Sequence, residues 1–378
     1  VAGSQHERYD RVTPADLGAV DTGHIVEVEI EARTVACRVW HQGVGSTRLY
    51  LLDTDVETNT AADQKITDRL YSGDRRHRLH QELVLGVGGV RALRALGIAP
   101  QVYHLNEGHA CFLLLELLAE AVEAGASLDA AVDAVRAQTL FTTHTPVPAG
   151  IDRFDTTLID PELTPWAKRL GTTVATLRGW ATLPSDGPKK PFNTAAIAFH
   201  LCGKANGVSQ LHATVSRELF AALPRATSTE GITNGVHART WVTAPLQTLY
   251  DDVLGSNWAD GDPKAWSAAS SLTDADLESV RSIGKAALVD MIEARTGTRL
   301  DPERCIFGFA RRFATYKRAA LMLRDPEGLE AAIAGGAQFV FSGKAHPADT
   351  DGKAVLESIT SFAGSKAAAG QFVLVPDY

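Results

Sequence analysis

Two short segments gather the side-chain types that bind and turn over polar substrates. Asn106-Glu107-Gly108-His109 offers an amide, a carboxylate and an imidazole, and His144-Thr145-Pro146 offers a second imidazole beside a hydroxyl. A second amide, Asn234, stands in Thr233-Asn234-Gly235-Val236-His237. Groups of this kind suit sugar hydroxyls, which need fixed donors and acceptors. Asn-Glu-Gly-His taken alone says little, because a Glu at a helix start is often only favourable to the dipole. A different chemistry is offered by Arg311, Arg312, Lys317 and Lys344. Guanidinium and ammonium groups converging near a helix amino terminus make a phosphate or carboxylate site, whereas most Lys and Arg runs are solvated surface.

Other candidates carry less. His104 and His109 lack the spacing of a standard zinc motif and there is no CxxC pair, so no metal site is expected. His77, His80 and His200 read as surface or core histidines. Cys37, Cys111, Cys202 and Cys305 lie far apart among mostly apolar neighbours. They read as buried, reduced thiols of a cytoplasmic protein. Gly86, Gly88 and Gly89 resemble a nucleotide loop but follow a helical pattern rather than a strand, which favours close helix packing or a helix end.

The elements that must position these groups follow from periodicity. Residues 24–55 alternate with period two in HIVEVEIEA, TVACRVWHQ and TRLYLLDTD, which predicts two or three strands. Residues 61–96 turn helical. PQVYHL (100–105) reads as a strand, Glu107 to Ala124 as a helix, Ser127 as the cap of a second helix, and TLFTTHT (139–145) as a strand. Strand, helices and strand make a parallel crossover unit, and ligands in such sheets bind beyond the carboxyl ends of the strands. Both Asn106–His109 and His144–Pro146 fall at that kind of end. Residues 150–192 are Pro-rich and read as loop around one helix near Val174. Helical patterns return at 194–200 and 207–220, and Thr273 caps a long helix ending near Arg295, with Gly297 just past it. After a break come three strand candidates, at 305–312, 337–344 and 371–378. A helix at 315–323 separates the first two and the stretch 351–363 the others. The fold class expected is α/β, with domains at 1–298 and 299–378, the second only the start of a doubly wound domain.

The chain of 378 residues is long enough for two cores. A net charge of −8 argues against nucleic acid or an anionic membrane as main partner, since nothing repays phosphate repulsion over the whole surface, and still allows a local basic pocket. No apolar run approaches the ~20 residues of a membrane helix, and the polar segment 1–16 carries no signal-peptide pattern.

YSGDRRHRLHQELVLGVGGVRAL, HLNEGHACF, FTTHTPVPAGIDRF, NGVSQLHATVSR, ITNGVHARTWV, FGFARRFATYKRAALML and FSGKAHPADTDGK follow one another from about residue 71 to 353. Together they resemble the α-1,4-glucan phosphorylases, in particular the shorter bacterial branch. The resemblance implies two Rossmann-like domains facing a cleft, the GT-B arrangement. It implies a hexosyltransferase that cleaves terminal α-1,4 bonds of an α-glucan with inorganic phosphate, releasing α-glucose 1-phosphate with retention. It also implies pyridoxal 5'-phosphate acting through its own phosphate group, and a homodimer. Carried over by motif, His144 lines the glucose subsite and Asn234 holds a sugar hydroxyl. Asn106, Glu107, His109 and Thr145 belong to the same pocket. Arg312 and Lys317 hold the substrate phosphate. Arg311 stands where many relatives have lysine, and Lys344 belongs to the second-domain wall.

Two departures bear on activity. The family's Schiff-base lysine directly follows a methionine, and here Met291 and Met322 precede Ile292 and Leu323. The family's glycine-rich loop near the amino terminus is missing as well. Both ends are therefore expected to be truncated, the chain alone inactive, and its second sheet open-edged and marginally stable. The competing readings are a nucleotide-sugar glucosyltransferase on the same architecture and a non-catalytic glucan-binding module.

Overall fold

The structure is a computed structural model that describes residues 5, 10–70, 74–144, 151–223, 225–368 and 370–376. Two compact units divide the chain, one of residues 11–235 and one of residues 236–378 with the amino-terminal segment.

The first unit opens with an antiparallel meander of β1 (Val20–Ile30), β2 (Arg33–Val44) and β3 (Thr47–Asp53). Its period-two pattern sends Val26, Val28, Ile30, Val35, Cys37 and Val39 into the core. Helix Arg75–Leu83 follows, capped by Asp74, and passes through a π-helical turn at Val84–Gly88 into helix Gly89–Ala95. A Cβ at Gly86 would lie 2.7 Å from the Leu113 backbone nitrogen, so that glycine serves close packing, as its helical context suggested.

Next come β4 (Tyr103–Asn106), β5 (Thr139–Thr143), a two-residue pair of β6 (Arg153–Phe154) and β7 (Phe192–Asn193), then β8 (Lys204–Gly207) and β9 (Glu230–Gly231). A parallel sheet forms in the order β4-β5-β8-β9. Between β4 and β5 run helices Phe112–Glu123 and Leu128–Ala137, the crossover expected from the sequence, with the Ser127 hydroxyl capping the second. Helix Phe112–Glu123 is buried along Phe112–Ala119 and anchors the core.

The second unit holds helix Asp274–Thr296, capped by Thr273 and closed by Gly297 in the left-handed region. Its sheet contains β10 (Ile306–Ala310), β11 (Gln338–Ser342) and β12 (Phe372–Val375), parallel and in that order. Phe339, Phe341 and Phe372 pack one face against helices Pro326–Ala334 and Thr350–Ala363, while Val340, Val373 and Val375 meet Val289 and Ile292 of the long helix. That packing ties the long helix to the second unit, whose main stretch runs from Val236. Gln5 joins this unit through paired hydrogen bonds to the Ala345 backbone at 2.8 and 2.9 Å.

Three local expectations change. Residues 156–169 form a helix despite Pro161 and Pro165. Ile159, Leu163, Trp166, Ala167 and Leu170 recur at helical spacing and are all buried. Burying them at roughly 1.5–3 kcal/mol per large side chain outweighs two lost backbone bonds at about 3 kcal/mol each. Residues 315–324 form two 3₁₀ turns, Thr315–Lys317 and Ala319–Arg324, because Arg318 between them sits at φ 59° and breaks a continuous helix. Cys305 is exposed, ahead of β10, whereas Cys37, Cys111 and Cys202 are buried. Among the described residues no helix is long and apolar enough to cross a membrane.

Candidate active site

At the carboxyl end of the first unit's parallel sheet, the strand register sets Asn106 beside Thr142 and Thr142 beside Asn206. The Thr142 hydroxyl donates to Asn206 Oδ1 at 2.7 Å and takes the remaining contact from His104 Nε2 at 2.6 Å, so His104 carries its proton on Nε2. Glu107 follows β4 as the N-cap residue of the 3₁₀ turn Gly108–Ala110, in an extended but positive-φ conformation (φ 65°, ψ −179°). Its side chain makes no cap hydrogen bond to that turn and is turned to a neighbouring loop instead. Its N–H reaches Thr142 O at 2.9 Å, and its buried carboxylate accepts the backbone N–H of His144. Two loops that leave neighbouring strands are tied together by one side chain. A non-glycine residue at positive φ costs of order 1–2 kcal/mol, which these two bonds offset.

Behind this pair lies His212, a residue with no assigned role in the sequence reading. Ser209 caps helix Gln210–Leu219 through the His212 N–H at 3.0 Å, and His212 Nδ1 accepts the Val208 N–H at 3.2 Å. The proton of the neutral ring then sits on Nε2, which is buried and, like the Thr143 hydroxyl, has no hydrogen-bond partner among the described residues. Gly207 permits the approach, since a Cβ there would lie 2.8 Å from His212 Nδ1. Burial holds His212 below its ordinary value; Glu107 pulls the other way and His144 adds to the lowering. Val208 O also accepts the Asn234 N–H at 3.3 Å, which brings exposed Asn234 to the same strand end. Asn106 is exposed and His144 half-buried there, and Thr145 lies outside the described residues.

His109 belongs to a second cluster, with Arg78, Glu82 and Asp152. Arg78 Nη2 lies 2.8 Å from His109 Nδ1 and 3.3 Å from both Glu82 Oε1 and Asp152 Oδ2. Burial pushes the Glu82 carboxyl up to about 8. Asp152 stays well below the carboxylate range because its bonds to His109 and Glu82 and the Arg78 charge outweigh its own burial. Asp152 and then Glu82 draw the His109 ring toward protonation, to about 9. The guanidinium has no lone pair and keeps its charge, so the 2.8 Å contact requires an unprotonated Nδ1, and the ring is neutral while that contact stands. Glu82, His109 and Asp152 are close enough together to chelate a cation, but Arg78 already supplies the positive charge there.

In the second unit the parallel ladder continues past the strands. Arg311 N–H donates to Ser342 O at 3.1 Å and Phe313 N–H to Lys344 O at 3.0 Å, so Arg311, Arg312 and Lys344 meet at one strand end. Gly343 allows this closeness, since a Cβ there would lie 2.1 Å from Arg311 O. Arg311, Arg312 and Lys344 are exposed. Lys317 is half-buried in the following 3₁₀ turn, its Nζ 4.7 Å from the centre of the Tyr316 ring. A cavity of about 610 Å³ in this unit lies elsewhere, between helix Asp274–Thr296 and the sheet face, and none of the four cations lines it.

Asn106, Glu107, His144 and Asn234 in the first unit, and Arg311, Arg312 and Lys344 in the second, thus reach strand carboxyl ends. The sequence reading missed Thr142, Asn206 and His212 behind Glu107 and His144, and Arg78, Glu82 and Asp152 around His109. The signal for His212 was present in the quoted segment NGVSQLHATVSR, where Ser209 three residues before it marks a helix start.

Residues 98–367 match the family model described as carbohydrate phosphorylase. The chain is similar to a glycogen phosphorylase of Mycobacterium tuberculosis, at 37% identity over 100% of this chain and 48% of the relative. It is similar to a maltodextrin phosphorylase of Thermococcus litoralis at 36% identity, over 89% of this chain and 42% of the relative. A glycogen phosphorylase of Aquifex aeolicus shares 33% identity over 90% of this chain and 52% of the relative. The chain spans about half the length of the curated relatives it matches.

Proposed function

The chain belongs to the carbohydrate phosphorylase family, and from that premise we propose that the whole protein is an α-1,4-glucan phosphorylase. It removes terminal glucosyl residues from an α-glucan with inorganic phosphate and releases α-glucose 1-phosphate with retained configuration. The observation that carries this reading is the family match over residues 98–367, which includes both strand-end clusters.

In this mechanism His144 lines the glucose subsite, oriented through its backbone by Glu107, and Asn234 holds a sugar hydroxyl. Asn106, Thr145 and His109 complete that wall, the last braced by Arg78 and Asp152. Arg312 and Lys317 hold the substrate phosphate and stabilise the charge that develops on it, with Arg311 and Lys344 beside them. For pyridoxal 5'-phosphate the fit reaches the phosphate end only: the four cations suit a second phosphate group, and no lysine of this chain is assigned to its Schiff base. When bound, the cofactor supplies a phosphate that exchanges a proton with the substrate phosphate.

The GT-B pairing of two Rossmann-like domains, with a division at 298/299, belongs to the same proposal, and two separate parallel sheets support it. So do a cytoplasmic location, supported by unpaired cysteines, and a homodimer, which rests on the family resemblance. The test is incubation of the full-length gene product with maltoheptaose and inorganic phosphate. Release of α-glucose 1-phosphate, lost on removing pyridoxal phosphate, is the expected result. Turnover of ADP-glucose or UDP-glucose with no phosphorolysis would overturn the reading.

A further inference from the structure

The opposite edge of the first unit's sheet carries a second group of cations. Arg136 ends helix Leu128–Ala137 just ahead of β5, and His200 stands at the end of helix Thr194–Leu201, ahead of β8. Arg225 lies between helix Gln210–Leu219 and β9, and Lys204 is the first residue of β8. All four therefore sit at amino ends of the strands, whereas Glu107 and His144 follow the carboxyl ends. Arg136 is held in place. Its Nη2 donates to His200 O at 3.0 Å, and Gly203 packs so tightly that a Cβ there would fall 1.9 Å from Arg136 O. The Trp180 ring stacks on His200 with centroids 5.6 Å apart.

The guanidinium groups are short of acceptors. Arg136 Nε and Arg225 Nη1 are both buried and have no hydrogen-bond partner among the described residues. The carboxylate nearest Arg136 is Asp133 at 3.6 Å, itself 80% exposed, and among the described residues Arg225 pairs with none. Burial and then the charge of Arg225 depress Arg136, and burial together with both guanidiniums holds His200 down to about 4. Arg225 also keeps a left-handed φ of 67°, where Asn or Gly is more comfortable. Buried unsatisfied donors and like charges side by side both destabilise, and one bound oxyanion relieves both. The guanidinium fork matches phosphate oxygens.

We propose that Arg136 and Arg225, with His200 beside them, form a binding site for a phosphate group, free or as a phosphomonoester, on the sheet edge opposite Glu107 and His144.

The test is calorimetric titration of inorganic phosphate and of methyl phosphate into the full chain carrying Arg311→Ala, Arg312→Ala, Lys317→Ala and Lys344→Ala, which removes the other cation cluster. Saturable binding is expected, tighter for inorganic phosphate if the free ion is the ligand and tighter for methyl phosphate if a monoester is. Adding Arg225→Asn, which suits the left-handed backbone, should weaken it roughly tenfold or more. Unchanged affinity, or no binding before that substitution, overturns the proposal. A readout on the unsubstituted chain guards against misfolding of the variants. Phosphate should move the titration of His200, followed by NMR of the ring, to higher pH, and an unmoved titration is equally fatal.

Discussion

The carboxylate of Glu107 accepts the backbone N–H of His144, so the residue that leaves β4 fixes the residue that leaves β5. Both sit where an open parallel sheet binds its ligands. Glu107→Ala deletes the acceptor and leaves a buried N–H unsatisfied, at a cost of about 1–3 kcal/mol. Glu107→Gln keeps an acceptor oxygen and should lose less. Urea denaturation of the two variants checks this; equal stability to the parent in both would mean that the carboxylate does not hold the loop.

The Glu82 cluster makes stability depend on pH in a definite direction. The folded-state value of Glu82, about 8, lies above its ordinary 4.5, so the folded chain keeps a proton that the unfolded chain loses. That contribution is full below about 4.5 and is lost as pH rises through about 8. Thermal denaturation across about pH 5–8 should show a fall in stability that Glu82→Gln flattens. A fall of the same size in the variant would assign the dependence to other groups.

Much of this arrangement was legible in the sequence because it depends on local signals. Ser127 and Thr273 cap the helices they announced, and alternation in residues 24–55 yields the meander. The strand-end placement of Glu107, His144, Arg311 and Lys344 followed from where the apolar runs stop. What escaped depends on tertiary contact. Pro161 and Pro165 signal a loop, and only the buried stripe from Ile159 to Leu170 makes a helix there. The role of His212 needs Val208 and Gly207 folded against it, and the Arg78 cluster joins residues from separate segments. The long helix at 274–296 was legible from its caps, but its packing through Val289 and Ile292 against the later sheet was not.

Gly343 offers a steric test of the second unit. It sits at φ 155°, and a side chain there would strike Arg311 O at 2.1 Å and the Phe313 ring at 3.0 Å. Backbone atoms of β10's continuation cannot yield as a flexible side chain would. Gly343→Ala should therefore destabilise by about 2 kcal/mol or more. Gly308, in β10 with open space around it, serves as the control, and its Ala variant should stay within about 1 kcal/mol of the parent. Equal unfolding midpoints for the two variants would show that the ladder past the strands does not constrain Arg311.

Steady-state kinetics of the full-length protein separate the two strand-end clusters. If Arg312 and Lys317 hold phosphate, then Arg312→Ala and Lys317→Ala should reduce kcat/KM for phosphate by about 10²–10³. The KM for maltoheptaose should change little, because neither side chain touches the glucan in the proposed mechanism. Asn234→Ala should do the reverse, raising the KM for the glucan through the loss of one hydroxyl contact, by roughly tenfold. The split matters because a general loss of folding would move both constants together in all three variants. Initial rates over a grid of phosphate and maltoheptaose concentrations measure it directly. Were Arg312→Ala to weaken glucan and phosphate alike, the cations of the second unit would be structural, and the phosphate role would pass to residues outside these strand ends.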